Sequence, residues 1–153
     1  MSESIKPVFW EDFEVGVTVP FGRKHVTREE IISFAREFDP QPFHLDEARA
    51  RDTLLGGLAA SGWHSCAMLM RMICDDYLLG SAGMGGAGVE EVRWLKPVRP
   101  DDTIRVEAEV KQKRESKSRA DRGLLMMGYT VKNQKNEPVM TFTAMHILQK
   151  RAA

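Results

Sequence analysis

The sequence predicts an α+β fold in which an antiparallel β-sheet wraps around one long central α-helix. Three observations point there. Between Cys66 and Leu79 only Arg71, Asp75 and Asp76 are charged, and a helix that is apolar nearly all round is a buried one. Downstream, Ile104, Val106, Ala108 and Val110 alternate with Thr103, Arg105, Glu107 and Glu109, the pattern of a half-buried strand. Further strand patterns stand before and after these two segments, and a sheet around the helix is the economical way to bury it.

The elements follow in order. Val17 to Thr27 alternates loosely and reads as a strand. Thr27-Arg28-Glu29-Glu30 has the spacing of a capping box, in which Thr27 accepts from the backbone and Glu30 reaches back. Ile31, Ile32, Phe34, Ala35 and Phe38 then give a short amphipathic helix. In Asp39-Pro40-Gln41-Pro42-Phe43-His44 the prolines lack an N–H and restrict the preceding residues, so the segment is a stiff loop. Asp46 to Arg51 is a further helical turn or two. Gly56 to Gly62 leads into the long helix, Trp63 to Leu79, on which Arg71 and Asp75 are spaced to pair. Gly80 to Gly88 is expected to be a flexible connection. Glu90 to Val98 reads as a strand ended by Pro97 and Pro100. Leu124 to Lys132 and Val139 to Leu148 are two more, with Asn133 to Asn136 as the turn between them.

At 153 residues the chain is expected to be a single domain, 1–153, with a core of about 17–148. Lys+Arg and Asp+Glu are equal at 22 each, which argues against general nucleic-acid binding. Met1 to Pro7 lacks the apolar core of a secretion signal, and no apolar run is long enough to span a membrane. Cys66 and Cys74 lie eight residues apart on one helix, about 12 Å along its axis, too far to bridge. They are expected to be buried thiols of a reducing cytoplasm.

The strongest chemical signal is the acid and imidazole of Asp39 and His44 on one rigid loop, the usual setting for general acid–base chemistry. Gly62, at the N-terminus of the long helix, offers an unsatisfied backbone N–H favoured by the helix dipole. Ser61 reads as its N-cap or as a substrate ligand, and Trp63, Gln41 and Phe43 as substrate-binding neighbours. His64 either lines the pocket or packs. His44-Leu45-Asp46 lacks further ligands at metal-site spacing, so no metal is expected. Met68, Met70 and Met72 read as deformable core or pocket wall. Gly83 to Gly88 follows a helix instead of opening one, so it is not a phosphate loop.

With Asp39-x-x-Pro42-x-His44 before the central helix, the chain resembles the MaoC-like dehydratases, the R-specific enoyl-CoA hydratases, whose fold is the hot-dog fold. Phe34-Ala35 before the loop, Gly62 at the helix start, and Arg93-Trp94-Leu95-Lys96-Pro97-Val98 carry the resemblance further. Gln41 stands where the family commonly has Asn, Phe43 where it has an aliphatic residue, and Ser61 where a His often precedes the glycine. The resemblance implies reversible hydration of a trans-2-enoyl-CoA. Asp39 and His44 would hold the water and the Gly62 N–H would bind the thioester oxygen. It implies no cofactor beyond the coenzyme A of the acyl-CoA substrate, and a homodimer or larger homo-oligomer. A hot-dog acyl-CoA thioesterase and a non-catalytic acyl-CoA binder are the alternatives. Lys111 to Arg122 reads as a solvated strand end. The alternative places the coenzyme A phosphates near Arg119 or Arg122, or near Lys96 and Arg99 across the dimer.

Overall fold

The computed structural model describes residues 8–152; the reading of Met1 to Pro7 lies outside them. Five strands form one antiparallel sheet in the order β1-β3-β4-β5-β2. They are β1 (Thr18–His25), β2 (Gly83–Trp94), β3 (Thr103–Glu115), β4 (Arg122–Lys132) and β5 (Pro138–Gln149). Helices α1 (Arg28–Phe38), α2 (Glu47–Arg51) and α3 (Gly62–Ile73) are inserted between β1 and β2, and α3 continues through a π-helical turn, Cys74–Leu78. This is the expected hot-dog arrangement.

The inward alternation of β3 and β4 supplies the sheet's half of the core. Ile104, Val106, Leu125 and Val131 are fully enclosed, and they meet Met68, Leu69, Met72 and Ile73 of α3. Burial of each such side chain stabilises the fold by about 1.5–3 kcal/mol. Gly22 sits where β1 shifts register, at φ +79°, and a Cβ there would meet Met72 Sδ at 2.9 Å. Its missing side chain therefore lets α3 lie close against β1.

Several expectations need correction. Gly80 to Gly88 is not a flexible connection throughout, because β2 begins at Gly83 and pairs with β5 through register shifts at 83/85, 86/88 and 89/91. Backbone hydrogen bonds need no side chains, so the strand has no apolar pattern to read. It also ends at Trp94, short of Val98. The capping box is half formed: Thr27 Oγ1 accepts from Glu30 N at 3.2 Å, but Glu30 Oε2 is taken by Lys24 Nζ at 2.8 Å. Finally, α3 is not buried all round. Trp63 is 62 % exposed and Met70 46 %, both on its open side, and Cys66 and Cys74 are half-buried free thiols. Arg71 and Asp75 do pair, at 3.0 Å.

Candidate active site

Helix α1 stops at Phe38, and Asp39, its C-cap, leaves helical geometry with its amide bonded back to Ala35 O. Gln41 N returns to Asp39 O at 2.8 Å, and Pro42–His44 makes one 3₁₀ turn. The five-residue spacing folds back on itself as a result, and Asp39 Oδ2 comes to lie 3.4 Å from His44 Nε2. Both side chains are shielded, at 15 % and 8 % exposure.

The imidazole is oriented from behind. His44 Nδ1 lies 2.8 Å from Ala59 O. A carbonyl only accepts, so Nδ1 carries a proton, and in the neutral ring Nε2 faces Asp39 with its lone pair. The Phe43 ring stands edge-on to the imidazole at 4.6 Å between centroids. The carboxylate is oriented too. Ser61 Oγ donates to Asp39 Oδ2 at 2.7 Å and Gln41 Nε2 donates to Oδ1 at 2.7 Å. Burial works against the charged form of Asp39, but these two hydrogen bonds and the nearby His44 outweigh it, so its carboxyl sits below the ordinary range. The longer amide of Gln41 thus reaches the acid directly.

With the ring neutral, Oδ2 and Nε2 are both acceptors at close range. A water donating one hydrogen to each satisfies the pair, and the cavity beside them admits it. That cavity is about 650 Å³, with Asp39, Gln41, Phe43, His44, Gly62 and Trp63 among its lining residues. The Gly62 N–H, in the first turn of α3, meets no acceptor among the described residues. Asp39, His44, Gly62, Gln41, Phe43 and Trp63 are therefore brought together around one space. Ser61 is not part of its surface. It is fully enclosed, with its hydroxyl held between Asp39 and the Trp63 amide, so its place is behind the acid instead of against a substrate. His64 also turns away, stacked on Phe34 at 4.6 Å and 9°. Burial lowers its pKa.

Two residues of the site were not anticipated in these roles. Trp94 Nε1 donates to Gly62 O at 3.1 Å, and a Cβ on residue 62 would fall 2.3 Å from the indole. Glycine is thus required at 62 by packing as well as by approach. The aromatic before Lys96-Pro97-Val98 was the available signal. Arg99 has a structural part: its guanidinium donates to the carbonyls of Leu55, Gly57 and Leu58, which fixes the loop whose Thr53, Leu54 and Leu55 wall the cavity. Lys96 pairs with Glu137 and Arg122 with Asp121.

Comparison with known proteins finds relatives over nearly the whole chain. A MaoC-like dehydratase from Rhodospirillum rubrum is 43% identical, with a TM-score of 0.89 over 95% of this chain and 99% of its own. The R-hydratase PhaJ1 from Pseudomonas aeruginosa is 25% identical, with a TM-score of 0.73 over 95% of this chain and 88% of its own. YdeM of Bacillus subtilis (strain 168), an uncharacterized protein, is 29% identical over 129 residues, 84% of this chain and 90% of its own. The MaoC like domain family matches residues 13–127, most of the chain and all of the acid–imidazole loop, and to that family this chain belongs.

Proposed function

We propose that this protein is a hydro-lyase that adds water reversibly to a trans-2-enoyl-CoA, giving the (R)-3-hydroxyacyl-CoA. The reading rests on one observation above all: a carboxylate and an anchored imidazole 3.4 Å apart, in one cavity with an unpartnered helix N-terminal amide. Asp39 and His44 hold the water through its two hydrogens. The pair removes one proton as the oxygen attacks C3, and returns a proton to C2 as the enolate collapses. The Gly62 N–H donates to the thioester oxygen, where negative charge develops, and the dipole of α3 adds to it. Coenzyme A enters as part of the substrate.

The unpaired edge of β2 suits a homodimer. The free thiols suit a reducing cytoplasm.

Crotonyl-CoA hydration, followed by loss of the conjugated thioester absorbance, tests the assignment. Asp39→Asn and His44→Ala should each lower kcat by roughly 10²–10⁴-fold while unfolding stays cooperative. Near wild-type turnover in either variant would remove that residue from the mechanism. Release of free thiol by the wild type would point to thioester hydrolysis instead.

A further inference from the structure

A second cavity, about 470 Å³, lies farther along α3, lined by Met70, Ile73, Leu78, Phe142, Ala144 and His146 among others. Its outer wall is the glycine run of β2, which contributes backbone and little else; a Cβ on Gly85 or Gly88 would meet nothing within 4 Å. Trp63, Cys66, Met70 and Ile73 are spaced three and four apart, so they form one stripe of α3. That stripe runs from the active-site cavity at Trp63 to the second cavity at Met70 and Ile73. Within the stripe, Cys66 touches Met140 of β5, Sγ to Sδ at 3.8 Å. Ile73 is eleven residues beyond Gly62, about 16 Å along the axis.

The far cavity has one polar side chain in its lining, His146. The ring is held from behind: Nε2 lies 3.0 Å from Tyr129 Oη, and Tyr129 Oη lies 2.5 Å from Tyr77 Oη. Nδ1 meets no partner among the described residues, and unlike Nδ1 of His64 it is not sealed off. A fixed, neutral imidazole nitrogen at the end of an apolar groove is a selective feature. A plain alkyl end laid over it strips its water and returns no hydrogen bond, whereas a hydroxyl can donate or accept and satisfies either tautomer. Sites built this way discriminate against analogues that lack the polar group.

We propose that this groove takes the tail of the acyl chain and that His146 recognises a hydrogen-bonding group at its far end. The preferred substrates are then acyl thioesters of medium length or longer bearing a terminal hydroxyl or similar oxygen. The inference rests on the acyl-CoA reading of the Asp39–His44 site.

Calorimetric titration of the full chain with saturated, unreactive thioesters tests it. Butyryl-CoA, decanoyl-CoA and ω-hydroxydecanoyl-CoA serve as probes. The wild type should bind the ω-hydroxy compound roughly tenfold more tightly than decanoyl-CoA, the equivalent of one hydrogen bond. In His146→Phe, or in His146→Leu should the larger ring not fit, that preference should vanish while butyryl-CoA affinity stays unchanged. Equal binding of the two decanoyl compounds by the wild type, or a preference that survives loss of the imidazole, overturns the inference alone. Failure to bind butyryl-CoA removes the acyl-CoA reading and overturns the inference with it. Crotonyl-CoA turnover, measured alongside, reports on the hydration chemistry separately.

Discussion

Asp39 holds its charge through two donors at very different distances along the sequence. Gln41 is two positions away and visible from the loop motif. Ser61 is twenty-two positions away and reaches the acid only because α3 begins beside it. The pair of catalytic candidates was legible because the prolines fix a short loop. The role of Ser61 was not, because its helix-capping bond to Trp63 and its bond to Asp39 use the same hydroxyl. Removing that hydroxyl has a definite sign. Ser61→Ala takes a donor from the carboxylate, so the Asp39 pKa rises toward the ordinary carboxylate range. The acid limb of kcat/KM for crotonyl-CoA should move to higher pH. Stability follows the same sign. A carboxylate depressed in the fold adds stability above its unfolded range and loses it as pH falls through the folded one, so Ser61→Ala should lose it at a higher pH than the wild type. An unmoved acid limb would mean that Asp39 is not the group titrating there.

The elements divide by how they are encoded. Strands β3 and β4 and the start of α1 follow from side-chain pattern and local caps, and they were readable. β2 was read short at its start because its glycines carry no pattern, although ladder pairing with β5 makes them a strand. The loop between α2 and α3 was equally silent. Gly56 at φ +68° and Gly57 at φ +157° allow it to turn, but what fixes it is Arg99, over forty residues downstream. A single guanidinium that satisfies three carbonyls has no substitute in lysine, which lacks the planar fork. Arg99→Ala should lower the unfolding free energy by about 2–4 kcal/mol, since the carbonyls lose charged donors. Urea unfolding would show a lower midpoint at unchanged slope. The wall formed by Thr53, Leu54 and Leu55 would loosen with it and raise KM. An unchanged midpoint would show that water replaces the clamp without cost.

Across the whole molecule, the chain's two tyrosines tie the π-helical turn to the sheet. Tyr77 comes from the turn after α3 and meets Phe13 and Phe21 edge-on; Tyr129 comes from β4, 1 % exposed, and hands on to His146 of β5. Burial pushes the Tyr77 phenol up to about 12, and it raises Tyr129 further, with the neighbouring Tyr77 adding to the effect. Burial likewise lowers His146, so all three groups are held neutral around pH 7. In the unfolded chain both phenols ionise near pH 10. Above that pH the unfolded state binds fewer protons than the folded one, so stability must fall as pH rises from about 10 towards the folded values. Ultraviolet titration should therefore show no tyrosinate in the native protein near pH 10. The signal should then appear in step with loss of far-ultraviolet dichroism, because ionisation and unfolding are one event. Tyr77→Phe keeps the ring and removes one hydroxyl, so it should leave a single tyrosine still silent until unfolding. A smooth titration of either phenol near pH 10 in a folded protein would mean that the turn opens to solvent, and that the chain of hydroxyls behind His146 is not a fixed part of the fold.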